Sequence, residues 1–147
     1  TTLLVTLLVS ANAWAENIDL SCNFISTFNV KENSSNPTEG TLSVSINTDE
    51  KTLTSSRHDY KFDYKEKANL ISWTAFSSAR MGSEKAFIWD YKLDRYTGNL
   101  ENTFYIQSFE SGYDYGNSEH TNCLFDKNCY EIGLVHTLKC ERVEALF

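Results

Sequence analysis

The chain has 147 residues, a formal net charge of −7, four cysteines and one proline. An acidic surface repels phosphate backbones, and the sequence contains no basic patch with interleaved aromatic residues, so nucleic acid is not an expected partner. The few glycines and the single proline argue against disorder, and the length suits one domain with a single core.

The first 15 residues have the pattern of a secretory signal peptide. The apolar run 3–9 is too short to span a bilayer, which needs about 20 residues. Ala13-Trp14-Ala15 follows it, and small residues at the first and third positions favour cleavage after Ala15. Because no methionine or basic segment precedes the run, we expect a signal peptide truncated at its start. The expected product is a single β-domain over residues 16–147, periplasmic or secreted, without an integral membrane segment.

Alternation of apolar and polar residues predicts a long first strand with one buried face. The apolar positions of this strand are Ile18, Leu20, Cys22, Phe24, Phe28 and Val30. Segment 30–40 contains Pro37 and Gly40 and is predicted to be a loop. A short strand is expected around Leu53, and the strand before it carries Leu42, Val44 and Ile46.

The middle of the chain predicts strands with aromatic faces. Tyr60, Phe62 and Tyr64 share one parity, and charged residues of alternating sign occupy the other. Segment 70–76 has apolar residues on both parities, as expected of a strand covered on both faces. A strongly aromatic strand face follows, formed by Phe87, Trp89, Tyr91 and Leu93.

Two further strands complete an all-β chain. Their apolar faces consist of Leu100, Phe104 and Ile106, and of Leu134, His136, Leu138 and Cys140. About eight strands joined by short turns predict an antiparallel meander, folded as a closed or partly open barrel or, alternatively, as a β-sandwich. One core is expected to contain Phe24, Phe62, Trp89 and Phe104.

An even number of cysteines in an exported chain predicts two disulfides, which four cysteines can form in three connectivities. We favour Cys22–Cys140, which joins the first and last strands of a barrel, together with Cys123–Cys129, which closes a short loop. In the chain-entropy treatment the long loop is worth roughly 5 kcal/mol and the short loop roughly 2.4 kcal/mol. The Cys123–Cys129 spacing is too wide for a zinc knuckle, so no metal site is expected.

Two strands joined by a tight turn are predicted at residues 87–100, FIWDYKLDRYTGNL. Asp94 is suited to accept hydrogen bonds from backbone N–H groups ahead of it, and Gly98 is suited to a left-handed conformation. Arg95 is expected to reach a carboxylate such as Asp90 or Asp94. These roles are structural, so no catalytic residue is assigned to the turn.

This hairpin resembles a segment of small exported bacterial β-proteins of unknown function, in which an aromatic strand leads into Asp-Arg-Tyr-Thr-Gly. In those proteins the segment lies between an early cysteine and one near the C-terminus, as it does here between Cys22 and Cys140. The resemblance is confined to the hairpin. It implies an exported β-protein and assigns no catalytic residue, and the segment with Cys123 and Cys129 departs from the pattern.

No motif for catalysis is present. The sequence lacks Gly-x-Ser-x-Gly, its histidines are scattered, and no two acids stand out as a glycosidase pair. His136 lies on the apolar parity of the last strand, which indicates a buried histidine, whereas His58 is expected to be exposed. The irregular segment 110–130, with two tyrosines between glycines, is a candidate binding loop. Its candidate binding residues are Tyr113, Asp114, Tyr115 and His120.

The expected function is that of an exported, disulfide-bonded, non-catalytic β-domain that binds a protein or a small ligand without a cofactor. One alternative is a periplasmic inhibitor or immunity-type protein that acts on a basic hydrolase, which an acidic surface attracts. A second alternative is a carboxylate-based hydrolase, and a third is a structural domain of the cell envelope.

Overall fold

The structure is a computed structural model that describes residues 17–77, 85–108 and 130–143. β-Strands are the only regular secondary structure of the described residues, which confirms the predicted all-β class. No helix that could cross a membrane occurs among them. The strands are β1 (Asn17–Asn29), β2 (Ser34–Pro37), β3 (Thr41–Asn47), β4 (Thr52–Ser55), β5 (His58–Asp63), β6 (Lys65–Lys67), β7 (Leu70–Ser77), β8 (Lys85–Asp94), β9 (Asn99–Ser108) and β10 (Glu131–Arg142).

Antiparallel pairing joins the strands in the order β5-β4-β3-β1-β10-β9-β8-β7-β6, and β2 pairs with the end of β1. As predicted, the sheet curls into a nearly closed barrel, and one seam stays open between β5 and β7. Only Tyr64 separates β5 from β6, so one stretch of chain pairs first with β4 and then with β7. Across the open seam the Tyr60 hydroxyl donates a 3.3 Å hydrogen bond to the Phe76 carbonyl.

The barrel has two ends, which we name by their turns. The upper end holds the turn 56–57 between β4 and β5, and the lower end holds the turn 95–98 between β8 and β9. β7 and β9 run towards the upper end, and β8 and β10 begin there. Residues early in β8 and late in β9 therefore lie near the upper end.

The predicted Cys22–Cys140 disulfide joins the first strand to the last. The two cysteines are direct partners in the β1–β10 register, their Cα atoms are 3.8 Å apart, and both are buried. A structural disulfide is typical of proteins from oxidising compartments. Cys123 and Cys129 lie outside the described residues, so the second bridge stays a prediction.

A β-bulge at Ile25 corrects the predicted face of the first strand. The register of β1 with β10 shifts at this point, and Ile25 is 51% exposed. The extra residue of a bulge moves every later side chain to the opposite face. Phe28 and Val30, predicted to be buried, are therefore exposed, and Thr27 takes the inward position.

Two further expectations are corrected. Segment 30–40 is not wholly a loop, because β2 pairs with the part of β1 beyond the bulge. β7 is buried on one face only, since Leu70 and Phe76 on its other face are exposed. In β8, by contrast, Ile88 and Asp90 on the outward parity are buried, although Lys92 on the same parity is exposed.

Inward side chains from both halves of the sheet form the hydrophobic core. Phe62 belongs to this core, and Phe24 and Trp89 are partly buried against it. Phe104 contacts Trp89 with ring centroids 5.4 Å apart, so the four aromatic residues expected in one core share the barrel interior. The buried members are Cys22, Leu42, Val44, Ile46, Leu53, Phe62, Tyr64, Ile71, Trp73, Ala75, Tyr91, Leu93, Leu100, Leu138 and Cys140.

Candidate functional site

A row of polar-tipped side chains crosses the inner wall of the barrel. Each residue is the direct register partner of the next, on the adjacent strands β7, β8, β9, β10 and β1. Direct partners place their side chains on the same face of a sheet, and this face is the interior. We call this set the polar row; it consists of Trp73, Tyr91, Asn102, His136 and Thr27.

Hydrogen bonds tie the polar row to residues outside it. Thr27 Oγ1 lies 2.7 Å from His136 Nδ1 and 2.5 Å from the Thr38 hydroxyl. The Tyr91 hydroxyl lies 3.3 Å from Nε2 of His58, which reaches it from β5 across the seam. The row is therefore hydrogen-bonded on both sides to residues outside it, to Thr38 through Thr27 and to His58 through Tyr91. The next inward layer towards the lower end is apolar and contains Leu93, Leu100 and Leu138.

Three buried polar atoms on the inner wall have no hydrogen-bond partner in the described part of the chain. They are Ser55 Oγ, Trp73 Nε1 and Asn102 Oδ1. Trp73 is 3% exposed and Asn102 is 1% exposed, so bulk water has little access to either. A buried polar atom without a partner costs about 1–3 kcal/mol, and folded proteins rarely leave one unpaired. Trp73 and Asn102 lie on either side of Tyr91 in the row. An acceptor for Trp73 Nε1 and a donor for Asn102 Oδ1 are the two hydrogen-bonding groups that the described wall does not supply.

Aromatic side chains line the interior between the polar row and the upper end. Phe104 stacks on Phe87 with ring centroids 5.3 Å apart, and His58 meets Trp89 edge to face at 5.2 Å. We call Phe87, Trp89 and Phe104 the aromatic group. All three are only partly buried, so apolar ring surface is available above the polar row.

The titratable groups of the interior are uncharged at neutral pH. Burial lowers the pKa of His58 and of His136 below the ordinary value of 6.5, and the positive charge of Arg57 acts in the same direction. Burial also raises the pKa of the Tyr91 hydroxyl above 10.0, and Arg57 opposes that rise. Arg57 is thus a charged residue that acts on all three groups.

The predicted binding residues Tyr113, Asp114, Tyr115 and His120 lie outside the described residues, so their role stays a prediction. The segment that contains them connects the end of β9 to the start of β10, and both of these strand ends lie at the upper end. Its points of attachment are therefore on the side of the aromatic group.

The turn at the lower end lies away from the polar row and has the geometry of an Asx turn. Asp94 Oδ1 accepts hydrogen bonds from the backbone N–H groups of Thr97 and Tyr96, at 3.1 and 2.9 Å. The bond from Thr97 is the main reason why the pKa of Asp94 is lowered. Gly98 has a φ of +70°, in the left-handed region that favours glycine.

Arg95 braces this turn against β6. Its guanidinium lies 2.5 Å from a carboxylate oxygen of Glu66 and donates a 2.6 Å hydrogen bond to the Ala68 carbonyl. The expected partners Asp90 and Asp94 are therefore wrong. The cause is the return of the chain in β6, which the sequence pattern did not predict as a separate strand.

A groove lies beside the seam, lined mainly by outward-facing residues but also by Trp73 and Tyr91 of the polar row. This groove has a volume of about 430 Å³. The Thr74 hydroxyl donates a 2.6 Å hydrogen bond to the Asp90 carboxylate at its wall, and its charged residues are of both signs. Because the groove presents a satisfied carboxylate and balanced charges, we place the candidate site in the interior. The groove is lined by Asp63, Lys65, Ser72, Trp73, Thr74, Phe76, Asp90, Tyr91 and Lys92.

The sequence pattern placed His136 and Tyr91 on the apolar faces of their strands, but it did not single out Trp73, Asn102 or Thr27. The positions of Trp73 and Asn102 in the polar row depend on register between distant strands, which one sequence does not give. His58 is partly buried among rings, so its predicted exposure is wrong. A usable signal existed, because His58 shares the parity of Phe62 in one alternating strand.

No group of three or more His, Cys, Asp or Glu residues that could hold a metal converges in residues 17–77, 85–108 and 130–143. The sequence matches no protein-family model, and no curated protein or solved structure is significantly similar to it.

Proposed function

We propose that this chain is an exported, disulfide-bonded β-domain that binds a small ligand inside the upper end of its barrel and does not act as an enzyme. The observation that carries the proposal is the pair of unpaired polar atoms, Trp73 Nε1 and Asn102 Oδ1, beside the partly exposed aromatic group. A ligand with an apolar body and a few hydrogen-bonding groups complements both features. Sites of this composition are typical of the mouths of β-barrels.

The unpaired atoms also set the scale of the expected gain in affinity. Each buried group that a ligand satisfies relieves about 1–3 kcal/mol, and 1.4 kcal/mol corresponds to a tenfold change in affinity. A ligand that accepts a hydrogen bond from Trp73 Nε1 and donates one to Asn102 Oδ1 is therefore expected to bind more tightly than a ligand that only contacts the aromatic group.

Export is supported by the buried Cys22–Cys140 bridge and by the leader pattern of residues 1–15. Structural disulfides persist in the periplasm and outside the cell, and are rare in the cytosol. The resemblance of the hairpin 87–100 to exported bacterial β-proteins agrees with this proposal. Fractionation of cells that express the chain with its own leader tests it, and recovery of reduced chain only from the cytosol would contradict it.

The non-catalytic part of the proposal is supported by what the polar row contains. It has no carboxylate, so it offers no pair for carboxylate-based hydrolysis. Thr27 and His136 have the spacing of a nucleophile and a base. Among the described residues, however, Nε2 of His136 has no orienting partner of the kind that such catalysis uses.

A fluorescence titration with N-phenyl-1-naphthylamine, an uncharged aromatic probe, tests binding in the interior. We expect saturable binding to the intact protein, and Trp89→Leu is expected to weaken it about tenfold because a ring contact is lost. The matched control is Tyr96→Leu at the lower end, where Tyr96 is 90% exposed and far from the aromatic group. Absence of saturable binding, or equal affinity for the Trp89→Leu and Tyr96→Leu proteins when both are folded by circular dichroism, overturns the proposal.

A further inference from the structure

We infer that the ligand of the upper end carries an anionic group, such as a carboxylate, sulfonate or phosphate, and that Arg57 binds it. The inference rests on the proposed function and specifies the ligand as an amphipathic molecule with an apolar body and a charged head.

Arg57 is held at the rim of the upper end by a short turn. Ser55 and His58 are register partners, so only Ser56 and Arg57 connect β4 to β5. The residue that follows Arg57 is the inward-facing His58, which contacts Trp89 and the Tyr91 hydroxyl. The backbone of Arg57 is therefore fixed directly beside the aromatic group.

The guanidinium acts on the interior and not only on solvent. Its charge lowers the pKa of both His58 and His136, and it interacts with the Tyr91 hydroxyl. These three groups come from β5, β10 and β8, so the positive field reaches the interior from one position on the rim. Because the imidazoles are neutral at pH 7, Arg57 supplies that field.

No acid of the described ranges lies within salt-bridge distance of Arg57. The ion pairs present there join Lys61 to Glu50 and Arg95 to Glu66. Asp59 follows His58 on the outward parity of β5, and it affects His58 less than Arg57 does. Within residues 17–77, 85–108 and 130–143, Arg57 therefore forms no salt bridge with a carboxylate.

The acidity of the whole chain does not argue against an anionic ligand. The net charge of −7 belongs to the whole chain, and salt at physiological strength screens charges beyond about 8 Å. An anion at the rim responds to the charge nearest to it. A guanidinium also presents several N–H donors in one plane, an arrangement that matches two oxygens of a carboxylate, sulfonate or phosphate.

Two probes that share an aromatic body test the inference. N-phenyl-1-naphthylamine is uncharged, and 8-anilino-1-naphthalenesulfonate has the same rings with an added sulfonate. Both are titrated against the intact protein, Arg57→Gln and Lys67→Gln. Lys67 is exposed in β6 near the lower end, so its variant changes the net charge equally without touching the rim.

We expect Arg57→Gln to weaken binding of the sulfonate probe by about tenfold or more. The affinity for the uncharged probe is expected to stay within about twofold of that of the intact protein. Lys67→Gln is expected to leave both affinities unchanged. An equal loss of affinity for the sulfonate probe in both variants, or an unchanged affinity in Arg57→Gln, overturns the inference that the ligand has an anionic head group. In that case, binding of the uncharged probe still supports the proposed function. Failure of both probes to bind the intact protein overturns the two proposals together.

Discussion

The turn at the lower end leaves no room for a side chain at Gly98, which makes Gly98→Ala a quantitative test of the fold. A Cβ atom at this position would lie 2.5 Å from the carbonyl oxygen of Cys140. The Cys140 N–H also donates a 2.7 Å hydrogen bond to the Gly98 carbonyl. Because the obstructing atom belongs to the backbone, no side-chain rotation relieves the contact, and β10 itself must move.

The magnitude follows from three contributions. A left-handed φ costs a residue with a Cβ about 1–2 kcal/mol, and weakening the hydrogen bond to Cys140 costs about 1 kcal/mol. Alanine restricts the unfolded chain and returns about 0.4–1 kcal/mol. We therefore expect Gly98→Ala to lower the free energy of unfolding by about 2 kcal/mol, and Tm by about 7 °C for a domain of this size.

Urea unfolding of the oxidised protein, followed by circular dichroism, measures the change. The matched control is Gly133→Ala, whose Cβ would lie 3.6 Å from the Phe104 carbonyl oxygen, an ordinary contact, and 3.2 Å from Ile106 Cγ1. Its nearest neighbour, at 2.7 Å, would be Ile106 Cδ1. That atom ends a flexible side chain, so a smaller loss is expected. A loss below about 0.5 kcal/mol for Gly98→Ala, the size of an ordinary surface change, or a loss equal to that of the control, would refute the reasoning.

The remaining predictions concern the barrel wall and its interior. Replacing Cys22 and Cys140 by alanine is expected to lower the free energy of unfolding by roughly 5 kcal/mol, because the bridge spans a sequence separation of 118; a loss under roughly 2 kcal/mol in urea titration would contradict this. Thr27→Val is expected to cost about 1 kcal/mol through the lost bond to His136, and an unchanged His136 imidazole signal in the NMR spectrum would count against that contact. Since burial lowers the pKa of His58 and His136, the unfolded chain takes up protons near pH 6.5 more readily than the folded chain. Stability is therefore expected to fall from about pH 7.5 to about pH 5.5, and an equally steep fall in the double variant His58→Gln, His136→Gln would exclude this cause.

Alternation of side chains was sufficient to predict most of the barrel. β3 and β8 keep one inward parity over their described lengths, so Ile46 and Tyr91 are buried where a period of two places them. The Cys22–Cys140 pairing followed from the same pattern. Two cysteines on the inward parity of the first and last strands meet when those strands are neighbours.

The features that escaped prediction depend on pairing between distant segments. Nothing in the residues around Ile25 distinguishes it from a regular strand position, because the bulge is set by the register with β10. In the sequence, Asn102 is likewise indistinguishable from any other polar residue of a strand. Its significance comes from alignment with Tyr91 and His136, which only the assembled sheet fixes.

The covalent bridge and the open seam occupy opposite places in the strand order. The β1–β10 pair, fixed by the disulfide, lies in the middle of that order, and β5 and β6 lie at its two ends. No backbone pairing between described residues crosses the gap beside His58. Parting the two sides there breaks the Tyr60–Phe76 and His58–Tyr91 hydrogen bonds but no rung of backbone pairing. The seam is therefore the one part of the described wall that can separate without loss of backbone pairing.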